Sequence, residues 1–248
     1  GWPETDKIVH FFWGLGDGQT EDIRQCIKKE EEWWFVDTGY ITEQITRYPS
    51  PIINNPDKTY FRIIKGGLHT IRGKVGNGKR LNKLRSQGID VDFKGWYTGE
   101  TKHILVCPSS PTVTYYINDM TQDDWIKETT DEIKKCTDRP IKLRNKPRPN
   151  NKWWNTDILD DLKDAHCLVT NMSLTAVDAT INGVPCITHN RNVAAGVSSR
   201  DISYKTLNYP FKPDGDKINR WMRMLSYNQF TIKEIEDGIA FEVLQKQI

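Results

Sequence analysis

The 248-residue sequence contains no apolar run approaching the ~20 residues that a membrane-spanning helix needs. It has no CxxC pair either. Its five cysteines, Cys26, Cys107, Cys136, Cys167 and Cys186, are widely spaced and odd in number. Three of them stand in apolar runs (ILVCP, AHCLV, VPCIT), where cysteine usually behaves as a small core residue. That pattern implies reduced thiols, a cytoplasmic setting and no zinc or other metal site. GxxxxGK(S/T), GxSxG and HExxH are all missing, which argues against a P-loop NTPase, an α/β-hydrolase and a zincin. No signal peptide is visible, and the chain opens Gly1-Trp2-Pro3 without Met, as a trimmed start would. Acids are absent between Lys58 and Ile89, where nine Lys and Arg stand. The whole chain carries only +2, so the remainder is net acidic. A basic stretch on an acidic protein is either a polyanion contact or a solvated loop.

What is present reads as a folded α/β protein. The hydrophobic fraction is 37%, mean hydropathy is -0.66 and nine Trp are included, an unusual aromatic load. KIVHFFW and WWFVDTGYI are predicted strands flanking the helix TEDIRQCIKKEEE, and TYFRIIKGGLHTI is a strand broken at Gly66-Gly67. RGKVGNGKRLNKLRSQGID reads as loop plus a short helix. The second half alternates more cleanly. Strand KHILVCPSS ends in a Pro-Ser-Ser loop, followed by helix TQDDWIKETTDEIKKCT, strand RPIKLRN, helix NTDILDDLKDA, strand HCLVTNMS, helix LTAVDATING and strand VPCITHN. Two final helices, KINRWMRMLSYN and TIKEIEDGIAFEVLQKQ, close the chain. Strands alternating with helices imply right-handed βαβ units and a parallel sheet.

In a parallel sheet, ligands sit beyond the C-terminal strand ends at helix N-termini. Three second-half loops belong to that edge: Pro108-Ser109-Ser110, the basic loop with Arg144, Lys146 and Arg148, and the loop from Asn171 through Ser173 to Thr175. Guanidinium forks suit phosphate oxygens and Lys adds a point charge. Hydroxyls at a helix start can add to the same site, so the three loops describe a place for a phosphorylated ligand. Asp178 follows on the next helix as a lone acid in an apolar stretch. A carboxylate repels phosphate but accepts hydrogen bonds from a ribose diol, so Asp178 is the expected sugar-side contact of a nucleotide.

The segment SLTAVDATINGVPCITH resembles the donor-site segment of GT-B glycosyltransferases, with Asp178 five residues before Gly183 of a Gly183-Val184-Pro185 turn. RNKPRP is similar to the basic strand-end motif that some of them set against the nucleotide diphosphate. The resemblance implies an α/β, GT-B-like fold with two Rossmann-like domains whose parallel sheets face a central cleft. An abbreviated acceptor-side domain would span 1–100. A nucleotide-sugar-binding domain would span 101–248, its last helix crossing back. It implies a nucleotide-sugar co-substrate, a UDP-sugar being favoured, with no tightly bound cofactor and a divalent metal stimulatory without being required. The second half, with WMRMLSYNQFTIKEIEDGIAF, also looks like small phage-encoded glycosyltransferases, which implies a hydroxymethylated pyrimidine of DNA as acceptor, a host-cytoplasm location and no membrane partner. A monomer is expected. Arg72, Lys74, Lys79, Arg80, Lys83 and Arg85 would then hold DNA phosphates, and exposed aromatics would stack on the extruded base.

Such a reaction needs a base for the acceptor hydroxyl and cations for the departing diphosphate. The base is expected in the first half: Asp37 at the end of WWFVD, then His69, then Asp17 in the GLGDG loop. Gly14 and Gly16 would let that loop approach the sugar closely. Asp90-Val91-Asp92 has the spacing of a GT-A metal motif, but a structural role is favoured for it. The other acceptor is a surface polysaccharide or lipid-linked sugar, and the non-enzymatic alternative is a nucleic-acid-binding protein.

Overall fold

The structure is a computed structural model that describes residues 8–16, 18–42, 55–149 and 151–245. In chain order its first elements are β1 (Val9–Trp13), α1 (Gln19–Lys28), β2 (Glu32–Thr38), β3 (Tyr60–Lys65), α2 (Lys79–Ser86), β4 (His103–Val106), α3 (Pro111–Asn118), α4 (Gln122–Cys136) and β5 (Ile141–Leu143). There follow α5 (Ile158–Leu162), β6 (Ala165–Thr170), α6 (Thr175–Ile181), β7 (Cys186–Thr188), α7 (Tyr204–Asn208), α8 (Gly215–Tyr227), β8 (Gln229–Thr231), α9 (Ile232–Glu236) and α10 (Ile239–Gln245). The chain divides into two compact units, Gly1–Val91 with Arg220–Ile248, and Asp92–Asn219. The division thus falls at 91/92 where the sequence suggested 100/101.

The second unit holds a wholly parallel sheet in the order β5-β4-β6-β7. Ile104, Val106, Cys167, Val169 and Ile187 from its strands pack with Trp125 and Ile133 of α4 and Leu207 of α7. Those runs are apolar throughout because both faces of a parallel sheet are covered. The chain leaves β4 for β5 on one side and returns with β6 on the other, so β4 and β6 form a topological switch point. In open α/β sheets that is where the crevice for a ligand lies. The three cysteines read as core residues, Cys107, Cys167 and Cys186, are buried.

The first unit holds a sheet in the order β1-β2-β3-β8. Only β1 and β2 are parallel, the βαβ pair around α1; β2–β3 and β3–β8 are antiparallel. Trp34, Val36, Phe61, Ile63 and Phe230 pack with Ala240 and Leu244 of α10. The aromatic load is divided between core and surface: Trp33, Trp34, Trp125 and Trp221 are buried, and Trp13 and Trp154 are exposed.

Two local expectations change. The last segment is β8, α9 and α10 where one helix was expected. Thr231 accepts from the Glu234 amide and the Glu234 carboxylate accepts from the Thr231 amide, a capping box that starts a helix there. Gly238, at φ 79°, then ends the short α9. In addition, α3 lies between the Pro-Ser-Ser loop and α4. Its sequence PTVTYYIN is rich in β-branched and aromatic residues, weak helix formers, and it is started by Pro111 in the first turn. Among the described residues no helix is long and apolar enough to cross a membrane.

Candidate functional site

The loops after β4 and β6 meet at the switch point. The Ser109 amide donates to Asn171 Oδ1 at 2.9 Å, and the Met172 amide donates to Ser109 Oγ at 3.0 Å. Asn171 Nδ2 donates to Thr114 Oγ1 and Asn118 Oδ1 on α3. Asn192, fully buried, donates to the carbonyls of Asn171 and Ser173. Ser109 and Asn171 were expected to meet a ligand, but they are buried and hold the two loops to each other. Their side chains fasten the loops after β4 and β6 to each other and to α3. Thr114, Asn118 and Asn192 do the same work, and no spacing in the sequence marks them.

Ser110, Ser173, Thr175 and Asp178 are the partly exposed members of the expected set at this edge. Thr175 Oγ1 donates to Ser173 Oγ at 3.0 Å, so the two hydroxyls are adjacent. Asp178 lies on α6, whose Ala176, Val177, Ala179, Thr180 and Ile181 are buried. Among the described residues no donor reaches its carboxylate. Desolvation pushes that carboxyl up to about 6, the Asp157 charge adds to the rise, and Arg144 opposes it. A carboxylate that its surroundings make costly to ionise, that lacks a protein donor and that stays partly exposed at the sheet edge is open to the donors of a ligand.

The glycine of the Gly183-Val184-Pro185 turn has a structural reason. Gly183 has φ +78°, and a Cβ there would lie 2.0 Å from the Gly95 carbonyl oxygen. The irregular segment 94–97 crosses this point, with the Lys94 amide donating to Ile181 O and the Tyr97 amide to Gly183 O. The turn therefore places the C-terminal end of α6 against a backbone, which only glycine permits.

Arg144 differs from expectation. It is buried, donates to Thr156 Oγ1 and Thr156 O at 2.9 Å each, and ion-pairs with Asp161. Burial raises the Asp161 carboxyl, but Lys142 and Arg144 together hold it below the usual range. A guanidinium so engaged is a scaffold of the loop, leaving Lys146 and Arg148 as the exposed cations of the expected phosphate set. The acid-rich DILDDLKD segment was the available signal for this pair. A cavity of about 530 Å³ flanks β5, lined by Lys142, Lys152, Trp153, Thr156, Asp157 and Asp161. Asp157 and Asp161 tie it to the surroundings of Arg144 and Asp178.

In the first unit, Asp37 and His69 gather around one buried cation. Asp37 and Arg62 are register partners across β2 and β3, and Arg62 Nη2 donates to Asp37 Oδ2 at 2.9 Å. The Thr38 amide donates to Asp37 Oδ1. His69 is buried edge-on to Tyr40, and burial with the Arg62 charge holds its imidazole well below the ordinary range, against the pull of Asp37. Asp17 lies outside the described residues. Gly14, at φ +72°, donates its amide to Val36 O, and the Gly16 amide donates to Gln19 Oε1. Asp90 and Asp92 are exposed around a buried Val91 in an irregular segment.

The basic segment is acid-free in sequence and paired in space. Arg62 pairs with Asp37, Lys65 with Glu32, and both Arg80 and Lys83 with Glu234. Arg80 also donates to the carbonyls of Ser226 and Gln229, so it is a structural tie between α2 and the segment entering β8. Of the six cations expected to meet DNA, Arg80 is committed to this network and Lys83 is drawn into it. Arg72, Lys74, Lys79 and Arg85 remain exposed, with Arg85 donating to Asn82.

No protein-family model and no curated protein matches the chain. Solved structures do. The Thermosulfurimonas dismutans KpsC beta Kdo 2,7 transferase is similar with a TM-score of 0.51 at 13% identity, over 96% of this chain and 85% of that one. The beta Kdo 2,4 transferase of the same KpsC gives 0.48 at 10% identity, over 86% and 78%. At 13% identity the likeness is one of fold: this chain has the GT-B-like α/β architecture in two units, the second on a Rossmann-like parallel sheet and the first on a mixed sheet that keeps one βαβ pair.

Proposed function

We propose that the protein is a glycosyltransferase that moves a sugar from a nucleotide sugar, a UDP-sugar being favoured, to an acceptor hydroxyl. The observation that carries this reading is the Asp178 carboxylate, partly exposed, without a protein donor and raised by its surroundings, beside the switch point of a parallel sheet. A ribose diol supplies the two donors it lacks. Ser173 and Thr175 hydroxyls, with Lys146 and Arg148, face the phosphates. The fold likeness to a protein named as a Kdo transferase points the same way.

In the reaction, the acceptor oxygen bonds to the anomeric carbon, and the bond from that carbon to the nucleotide phosphate breaks. The acceptor proton passes to a base, and the departing phosphate charge is met by Lys146 and Arg148. Asp37 is the first candidate base and His69 the second. Both belong to the Arg62 network, so Asp37→Asn and His69→Gln separate them by which abolishes turnover with donor binding unchanged.

A 5-hydroxymethylated pyrimidine in DNA is the acceptor of the main reading, held by Arg72, Lys74, Lys79 and Arg85. A carbohydrate acceptor is the second, favoured by the commitment of Arg80 and Lys83 to Glu234, which thins the basic track. The test incubates the protein with a panel of nucleotide sugars and either hydroxymethylated DNA or oligosaccharides, and weighs the products by mass spectrometry. A hexose or pentose mass gain on a digested nucleoside supports DNA, and transfer to an oligosaccharide supports the second reading. If no nucleotide raises Tm at millimolar concentration and no transfer occurs, the enzyme reading fails and a nucleic-acid-binding protein takes its place.

A further inference from the structure

The first unit brings together three side chains that nothing above uses. His10 lies on β1, Cys26 on the last turns of α1, and Glu31 in the turn before β2. Their ligand atoms (a ring nitrogen, Sγ and a carboxylate oxygen) all lie within 4.8 Å of one another. His10 Nε2 and Glu31 Oε2 are 2.9 Å apart. Cys26 is buried at 3% exposure, while the His10 and Glu31 side chains are 33% and 27% exposed. The sulfur thus forms the floor of a shallow site and the other two its rim.

The backbone is arranged to keep them there. Glu31 donates its amide to Cys26 O at 2.9 Å, closing the α1–β2 turn so that both side chains return to the same place. The turn requires Glu30 at φ 57°, a left-handed conformation that non-glycine residues rarely adopt. The parallel pairing of β1 with β2 then sets His10 beside them, opposite Trp33. His10 is further held by its stack on Phe12, with centroids 6.3 Å apart.

We propose that His10, Cys26 and Glu31 bind one divalent ion of the zinc class. One imidazole nitrogen, one thiolate and one carboxylate are a borderline-soft donor set that suits Zn²⁺ and Co²⁺ and is poor for Mg²⁺ or Ca²⁺, which prefer oxygen alone. Bonds of about 2.0–2.3 Å to a tetrahedral ion set the donor atoms roughly 3.3–3.8 Å apart. The His10–Glu31 contact opens and the sulfur closes in by rotamer-sized movements. Cys26 enters as thiolate, its proton passing to solvent, and water takes the fourth position at the open rim. Asp22 and Lys29 are the other charges that act on Cys26, and Asp22 adds to the attraction for a cation. The bound ion ties α1 to the β1–β2 pair. This inference stands apart from the donor site, which uses none of these residues.

The test is Co²⁺ titration of the chelator-treated full chain near neutral pH, followed by competition with Zn²⁺. The expected result is one Co²⁺ per chain with a thiolate-to-cobalt charge-transfer band in the near ultraviolet, removed by one equivalent of Zn²⁺. Cys26→Ser abolishes the band, and His10→Gln and Glu31→Gln each weaken binding at least tenfold. Cys136→Ser, the change at the most exposed cysteine, leaves the band intact. No band, a band that survives Cys26→Ser, or unchanged affinity in both rim variants overturns the proposal. Because Cys26 is buried, the rim variants keep the test decisive even if Cys26→Ser fails to fold.

Discussion

Asp178→Asn separates stability from function in opposite directions. The wild-type carboxyl titrates at about 6 in the folded protein against an ordinary value of 3.8. The native state therefore holds this proton more tightly than the unfolded state, and stability falls as pH rises between those values. The full difference corresponds to about 3 kcal/mol. Asn keeps the shape without the charge, so it should stabilise the unliganded protein by about 2–3 kcal/mol at pH 7.5 and by almost nothing at pH 4. At 2–4 °C per kcal/mol, that is a Tm gain of roughly 5–10 °C appearing across the interval. Nucleotide affinity should move the other way. Losing a charged hydrogen bond costs about 1.5–3 kcal/mol, or roughly 10- to 150-fold in Kd. Thermal melts of both proteins from pH 4 to 8, with calorimetric titration of UDP at pH 7.5, read both effects. A variant with wild-type Tm at every pH and unchanged UDP affinity would show Asp178 to be an ordinary solvated acid, and the proposed ribose contact would be lost with it.

Arg144→Ala should cost about 1–3 kcal/mol in urea denaturation, because Asp161 keeps only Lys142 as its cation and the Thr156 carbonyl loses its donor; no measurable loss would return Arg144 to the ligand set. Gly183→Ala combines a left-handed backbone penalty of about 1–2 kcal/mol with a collision against the Gly95 carbonyl, and should lower Tm by more than 6 °C; a smaller change would mean the segment 94–97 yields easily. Asn171→Ala leaves the buried Ser109 amide without its acceptor, at about 1–3 kcal/mol, and should weaken nucleotide binding through loosened loops. Nucleotide affinity equal to wild type in that variant would show that the zipped loops do not shape the site.

The legible part of the site was the part encoded by local chain chemistry. The second half could be read because a parallel sheet buried on both faces must alternate apolar strands with capped helices. The loops at its C-terminal edge then follow from topology, and Asp178 stands out as one acid among buried residues of α6. Less legible was how each polar group is spent. Arg144 and Ser109 have the same look in sequence as ligand residues, and their partners Asp161 and Asn171 lie 17 and 62 positions away. The run from Lys58 to Ile89 shows the same limit. Its lack of acids is a fact of sequence, yet Asp37, Glu32 and Glu234 arrive from other strands and helices to neutralise four of its cations.

By itself the sequence determined the fold class, the order of most elements, which loops stand at the C-terminal edge of the second sheet and the place of a lone acid on α6. These depend on periodicity, capping and turn residues, which act over a few positions. Only the tertiary structure decided which cations are committed to buried ion pairs, why Gly183 must be glycine, that β8 completes the first sheet, and that His10, Cys26 and Glu31 converge. Each of those depends on which distant groups come within hydrogen-bonding or van der Waals reach, and that is fixed by packing after the local elements have formed.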